Sequence, residues 1–160
     1  MRPADTAAAA RLERAIFGRE AWPATAFAYV RAVFTAARPA RGQLWIAETA
    51  GGQLVGYTGI ELSVLGGEAD VINLAVDPAH RRQGVGRSLL ATATGFCRAR
   101  GIPIVWLRVR AGNDVARAFY RRSGFRSVGR FRDYYDDPRE DAVLMELRPS
   151  TRPRLTERHR

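Results

Sequence analysis

Residues 72–90, Ile-Asn-Leu-Ala-Val-Asp-Pro-Ala-His-Arg-Arg-Gln-Gly-Val-Gly-Arg-Ser-Leu-Leu, restrict this chain more than any other stretch. An apolar strand runs into a basic turn punctuated by glycine, and an amphipathic helix begins at once. Gly84 and Gly86 lack the side chains that would hold a ligand away from the backbone. Their amides and those of the first helical turn have no partner within the helix, and the helix dipole adds positive potential there. Such a turn accepts a phosphate or pyrophosphate. Arg81, Arg82 and Arg87 reinforce the preference for an anion.

Two familiar phosphate loops do not fit. A P-loop requires a lysine after its second glycine, and all 26 basic residues here are arginine. The dinucleotide fingerprint requires a glycine where Leu89 stands. The net charge of +10 favours anionic partners without choosing among them. Residues 149–160 carry four arginines against Glu157, a net +3, and lack periodicity, so an arginine-rich disordered tail is expected there. No apolar run reaches the roughly 20 residues of a membrane span. The start of the chain lacks the pattern of a signal peptide. The single cysteine, Cys97, excludes an internal disulfide, and a cytoplasmic location is the expectation. No metal site is expected.

Hydrophobic spacing predicts helices over 5–17, capped by Asp5 or Thr6, and over 24–37, closed by the Arg38-Pro39 step. Strands are predicted over 43–49, 53–64 and 68–76, with turns at Ala50-Gly51-Gly52 and Gly66-Gly67. The helix after the glycine turn carries the apolar stripe Val85, Leu89, Ala93, Phe96 and Cys97. A strand over 104–109 follows, then a short helix from Asn113 or Asp114 to Arg122. Two strands, 125–132 and 141–147, are predicted to enclose a polar Tyr/Asp/Pro stretch. This order gives one α/β domain with a mixed sheet over residues 1–148.

The run Arg81-x-x-Gly84-x-Gly86 after Val76-Asp77-Pro78 resembles the pyrophosphate loop of the GNAT N-acetyltransferases. Residues 113–125 follow that family's Asn-x-x-Ala-x-x-x-Tyr-x-x-x-Gly-Phe pattern. Tyr134-Tyr135 and Glu140–Met145 are similar to the branch that acetylates N-terminal amines, in particular the N-terminal alanine of a ribosomal protein. The element order is also that of the GNAT fold, with the family's first strand short or missing.

The resemblance implies acetyl-CoA as cofactor and direct attack of an amine on its thioester. It places the pantetheine in a gap beside the strand Leu74-Ala75-Val76. The pyrophosphate would lie on Arg81, Arg82, Gln83, Gly84, Val85, Gly86, Arg87 and Ser88. Asn113 matches the family's pantetheine-contacting asparagine, and a helix cap is an equally natural role. Tyr120 is the candidate proton donor to the leaving thiolate. Trp22, Tyr134, Tyr135 and Arg108 are candidates to contact the acceptor. Trp45, Trp106 and Cys97 read as packing.

The general base departs from the pattern. The ribosomal-protein branch carries a glutamate in a Leu-Glu-Val-Arg run, and here that run is Leu107-Arg108-Val109-Arg110. Arginine does not accept a proton near neutral pH. Asp70, working through water, is the candidate base; Glu61 and Glu68 are alternatives. An α-amine with a pKa of about 7.8 is roughly 15% neutral at pH 7, against about 0.04% for lysine, a difference of roughly 3.5 kcal/mol. A weak base therefore suits α-amines better than lysine side chains. Arg108 would also repel a cationic acceptor.

The expected function is acetyl transfer to a protein N-terminus, with the basic tail available for docking on the ribosome and no specific nucleic acid bound. A small-molecule amine acetyltransferase is the alternative within the enzyme class. A basic ribosome- or RNA-associated module without turnover is the alternative outside it.

Overall fold

The computed structural model describes residues 1–37, 40–63 and 67–149. Its centre is a six-stranded sheet: β1 (Gly42–Glu48), β2 (Leu54–Leu62), β3 (Glu68–Val76), β4 (Ile104–Arg110), β5 (Arg126–Asp136) and β6 (Arg139–Leu147). The spatial order is β1-β2-β3-β4-β6-β5, antiparallel except where β3 meets β4. The helices are α1 (Thr6–Phe17), α2 (Ala24–Ala36), α3 (Val85–Ala99) and α4 (Asp114–Arg122). No strand precedes α1 among the described residues; the Met1 amino group donates to the Leu44 carbonyl on edge strand β1, at 2.8 Å.

Helices lie on both faces of β2 and β3, which carry apolar residues on either side, whereas β4 turns Val105, Leu107 and Val109 to the α3 side and Arg108 and Arg110 to the other. Beneath α3 and α4, Ile60, Val71, Leu90, Cys97, Leu107, Phe125 and Met145 form one core. Burial pushes the Cys97 thiol up to about 11, as expected of a packing cysteine. On the other face, α1 and α2 close over Ala9, Phe27, Tyr57 and Ala75.

Several sequence expectations require correction. Asp5 does not cap α1; its carboxylate turns back to the Arg2 amide and guanidinium. The predicted loop between the last strands does not exist, because β5 continues to Asp136 and β6 starts at Arg139. Tyr134 and Tyr135 are therefore strand residues, and Asp137-Pro138 alone makes the turn. A three-residue bulge permits this, since Phe131 pairs with Ala142 and Tyr135 with Glu140. Asp141 opposite the bulge accepts from the Asp133 amide and from Arg130, at 2.9 and 2.6 Å, replacing ladder bonds that sequence patterning assumes. The Arg38-Pro39 step, Gly66 and the tail from Ser150 onward lie outside the described residues.

A second bulge governs β3. Gly59 pairs with Asn73 and Ile60 with Val71, so Ile72 has no partner in β2. The extra residue inverts the facing of the strand. Ala69 and Val71 pack beneath α3, whereas Asn73 and Ala75 turn towards α1. Asn73 there donates to Glu13, at 3.0 Å, and the same buried carboxylate accepts from the Trp22 amide and the Tyr57 hydroxyl. Glu13 lies four residues after buried Ala9, so a carboxylate stands inside the apolar stripe of α1.

Burial raises the Glu13 carboxyl above its ordinary 4.5, and bonds from Trp22 and Asn73 only partly offset this. A folded-state value raised in this way means that ionisation opposes folding. The associated stability is present below pH 4.5 and is lost as the pH rises past the raised value. Glu13→Gln keeps an acceptor for Trp22 and Asn73 and removes the charge. In urea unfolding between mildly acidic and neutral pH, the stability of this variant relative to the natural protein should increase with pH.

Candidate active site

The sheet divides between β3 and β4. These strands pair only at Glu68–Ile104, Ala69–Val105 and Asp70–Trp106. Beyond Asp70, β3 stays with β2 as far as Val76, and β4 stays with β6 as far as Arg110. Main-chain groups in an antiparallel pair alternate in direction. The Asp77 amide donates to Val55 of β2, at 2.9 Å, which assigns Asp77 and Ala75 to the β2 side. Leu74 and Val76 then present their main-chain groups to the fork. Arg81 Nε takes the Val76 carbonyl, at 3.1 Å, leaving the Val76 amide and both polar groups of Leu74 facing the gap.

At the open end of the fork, Asp77 caps the turn Pro78–His80 by accepting from the Ala79 amide. Gly84 adopts φ +86°, a conformation natural to glycine, and turns the chain into α3. The first helical bond runs from the Ser88 amide to Gly84, at 2.9 Å. Val85, Gly86 and Arg87 therefore carry amides ahead of the first internal bond. A Cβ on Gly86 would make ordinary contact with Val76 at 3.4 Å and Phe119 at 3.6 Å, so the start of α3 lies against the end of β3 and against α4. An acyl-CoA fits this arrangement, with polar main chain for the pantetheine in the fork and unpaired helical amides for the pyrophosphate.

This geometry trims the candidate set. Ala75 is buried beside Tyr57 with its main chain on the β2 side, and contributes nothing to the fork. The Ser88 amide is spent inside the helix, and Arg81 Nε is engaged by the Val76 carbonyl. Asn113 caps α4 by accepting from the Ala116 amide, at 3.0 Å, which leaves Nδ2 for a ligand.

Tyr120 on α4 is wedged between Phe119 and Phe125, at 5.2 and 5.8 Å between ring centroids. Burial pushes its hydroxyl well above the usual phenol range, and Tyr135 nearby adds to the effect. At the crotch of the fork, Arg108 Nη1 donates to Asp70 Oδ1 at 2.7 Å, and the guanidinium lies 5.9 Å from the Phe131 ring. Arg108 is thus not the lone positive charge inferred from sequence, since Asp70 offsets it. Tyr134 is half exposed on β5 and packs edge-on against Tyr135. Trp22 packs on Phe27 beyond the end of α1.

Sequence reasoning missed Glu13, Asn73, Glu20 and Arg110. A charge within the apolar stripe of α1 was the one available signal for Glu13. Asn73 and Glu20 gain partners only across long separations in sequence, at Glu13 and Arg110.

Residues 7–125 match the model of the acetyltransferase (GNAT) family, and the chain belongs to that family. It is 38% identical over 147 residues to the N-alpha-acetyltransferase RimI of Mycobacterium tuberculosis, covering 89% of this chain and 85% of that protein. It is 45% identical over 82 residues to the ribosomal protein bS18-alanine N-acetyltransferase of Escherichia coli. That match takes in 50% of this chain and 55% of the relative, so the chain spans about half the length of this and similar curated relatives. The crystal structure of the Escherichia coli ribosomal-protein-S18-alanine N-acetyltransferase superposes with a TM-score of 0.80 at 30% identity, over 97% of this chain and 94% of the other.

Asn113→Ala should cost about 1 kcal/mol of stability through loss of the cap. Chemical unfolding measures that cost, and acetyl-CoA titration of the same variant separates any ligand contact made by Nδ2.

Proposed function

We propose that this protein transfers an acetyl group from acetyl-CoA to an amine, most naturally the N-terminal α-amine of a protein, including ribosomal proteins of the kind its relatives are named for. The observation that carries the reading is the parting of β3 from β4 beyond Asp70, with both main-chain polar groups of Leu74 and the Val76 amide facing the gap on the way to the α3 amides. Acetyl-CoA, when bound, supplies an activated acetyl group and a thiolate leaving group.

The residues of the chain then divide the work. Leu74 and Val76 hold the pantetheine by main-chain bonds, and the Val76 amide polarises the thioester carbonyl. Gln83, Gly84, Val85, Gly86 and Arg87 seat the pyrophosphate, with Arg82 adding positive charge beside it. Tyr120 holds a proton at its hydroxyl throughout the neutral range, in place for a departing sulfur. Asp70 is the base, acting through water. Arg108 binds its Oδ1 and orients the carboxylate, so Oδ2 is the atom assigned to receive the proton. A surface-accessible base of this kind suits an amine that is already partly neutral, which favours α-amines over lysine. Trp22, Tyr134, Tyr135 and the Arg108–Asp70 pair line the approach of the acceptor.

The replacement of the branch's glutamate by Arg108 supports a second reading, acetylation of a small amine of low pKa. The basic residues 149–160 would serve as a docking segment on the ribosome, and the reducing cytoplasm suits the lone buried Cys97. Among the described residues, no helix is long and apolar enough to cross a membrane.

Labelled acetyl-CoA offered with short peptides, free small amines and N-terminally blocked lysine peptides separates these readings. Unblocked peptides, with N-terminal alanine among them, should be the best acceptors. Tyr120→Phe should lower kcat at least about ten-fold with little change in acetyl-CoA affinity. Asp70→Asn should displace the acid limb of the pH–rate profile, and an unchanged profile would remove Asp70 from the mechanism.

A further inference from the structure

Arg110, at the end of β4, gathers contacts from three separate parts of the chain. Its guanidinium donates to Glu20 in the 3-10 turn Gly18–Glu20, to Glu140 on β6 at 3.0 Å, and to the carbonyls of Asp137 and Pro138 at 3.1 and 3.0 Å. The group also lies 4.1 Å over the Tyr135 ring. Glu140 is in turn held by the Gly112 amide, where the chain leaves β4 for α4. A second, looser ion pair joins Arg19 to Asp137 at 4.0 Å. Burial opposes the Arg110 charge, yet its bonds to Glu20 and Glu140 more than compensate.

We infer that Arg110 is a positioning residue: with Glu20 it forms a strap that ties the segment between α1 and α2 to the β5–β6 turn, fixing the two walls between which the acceptor amine enters. The inference rests on the proposed function for the identity of the acceptor, and on geometry alone for the strap. The first wall carries Trp22, two residues beyond Glu20. The second carries Tyr134 and Tyr135, the latter stacked beneath Arg110 and beside Tyr120. A shift of the strap therefore moves both sets of candidate acceptor contacts. It leaves the fork main chain at Leu74 and Val76, where the cofactor would lie, untouched. Only a planar fork of five donors satisfies two carboxylates and two carbonyls together while stacking on an aromatic ring, so lysine cannot replace it.

The test compares Glu20→Gln, Glu20→Asp and Arg110→Lys in the full-length protein, using the best peptide acceptor of the natural protein. Glu20→Gln and Arg110→Lys should raise the peptide KM about five-fold or more, with kcat and acetyl-CoA affinity changed less than about two-fold; Glu20→Asp, which keeps the charge, should recover part of the loss. Amide hydrogen exchange on the same proteins without ligand should accelerate together in residues 18–22 and 134–137 and nowhere in β3. An unchanged KM in both Glu20→Gln and Arg110→Lys, or a loss of acetyl-CoA affinity equal to the loss for peptide, would overturn the inference. If the natural protein acetylates no peptide, the proposed function fails, and exchange decides the strap by itself. Coupled acceleration of the two walls would uphold it, and independent or absent acceleration would refute it.

Discussion

The parting of β3 and β4 beyond Asp70 sets what every other element must support. Two adjacent parallel strands ordinarily satisfy each other along their whole length, and an unpaired buried main chain is costly. Here each strand stays with its other neighbour, β3 with β2 and β4 with β6, so the sheet survives while a gap opens between them. Polar groups left facing that gap lack a protein partner by construction, and an elongated polar ligand can replace the missing strand. The bulge at Ile72 supports the parting, because it turns Asn73 towards α1 just where β4 is lost as a partner.

A divided sheet needs support that its own ladder no longer gives. On one face Glu13 supplies it, joining α1, the Trp22 backbone, Tyr57 of β2 and Asn73 of β3 through one buried carboxylate. On the far side of the gap Arg110 supplies it, joining β4, the β5–β6 turn and the segment before α2. Both pins are ionisable groups with several partners, Glu13 buried on α1 beside Tyr57 and Arg110 at the end of β4. Directional bonds suit this role, since hydrophobic contact alone would favour closure of the gap.

Much of the fold was legible from sequence because its signals are local. The stripe Val85, Leu89, Ala93 and Cys97 marks α3, and Gly84 marks its start. Asn113 announces α4 by a cap that reaches only three residues along the chain. The glycine turn, Tyr120 and Asp70 were nameable from residue type and spacing. The extent of β5 was not, because Asp133 at φ +49° and the polar run around it read as a loop until Asp141, eight residues away, satisfies them. The meaning of Arg108 was also hidden, since a single basic residue reads as a repelling charge until Asp70, 38 residues distant, is found against it.

The succession of helices and strands, the anion-seeking character of the turn at Gly84, and the residue types available for proton transfer are written in the order of residues alone. These follow from short-range steric preference, periodic hydrophobicity and intrinsic acidity, all of which act within a few residues. Where β3 and β4 part, which side Leu74 and Val76 present to the opening, and which arginines are spent on carboxylates emerge only from the folded chain. Those outcomes depend on register and on pairings between distant segments, whose energies arise only once the sheet has brought them together.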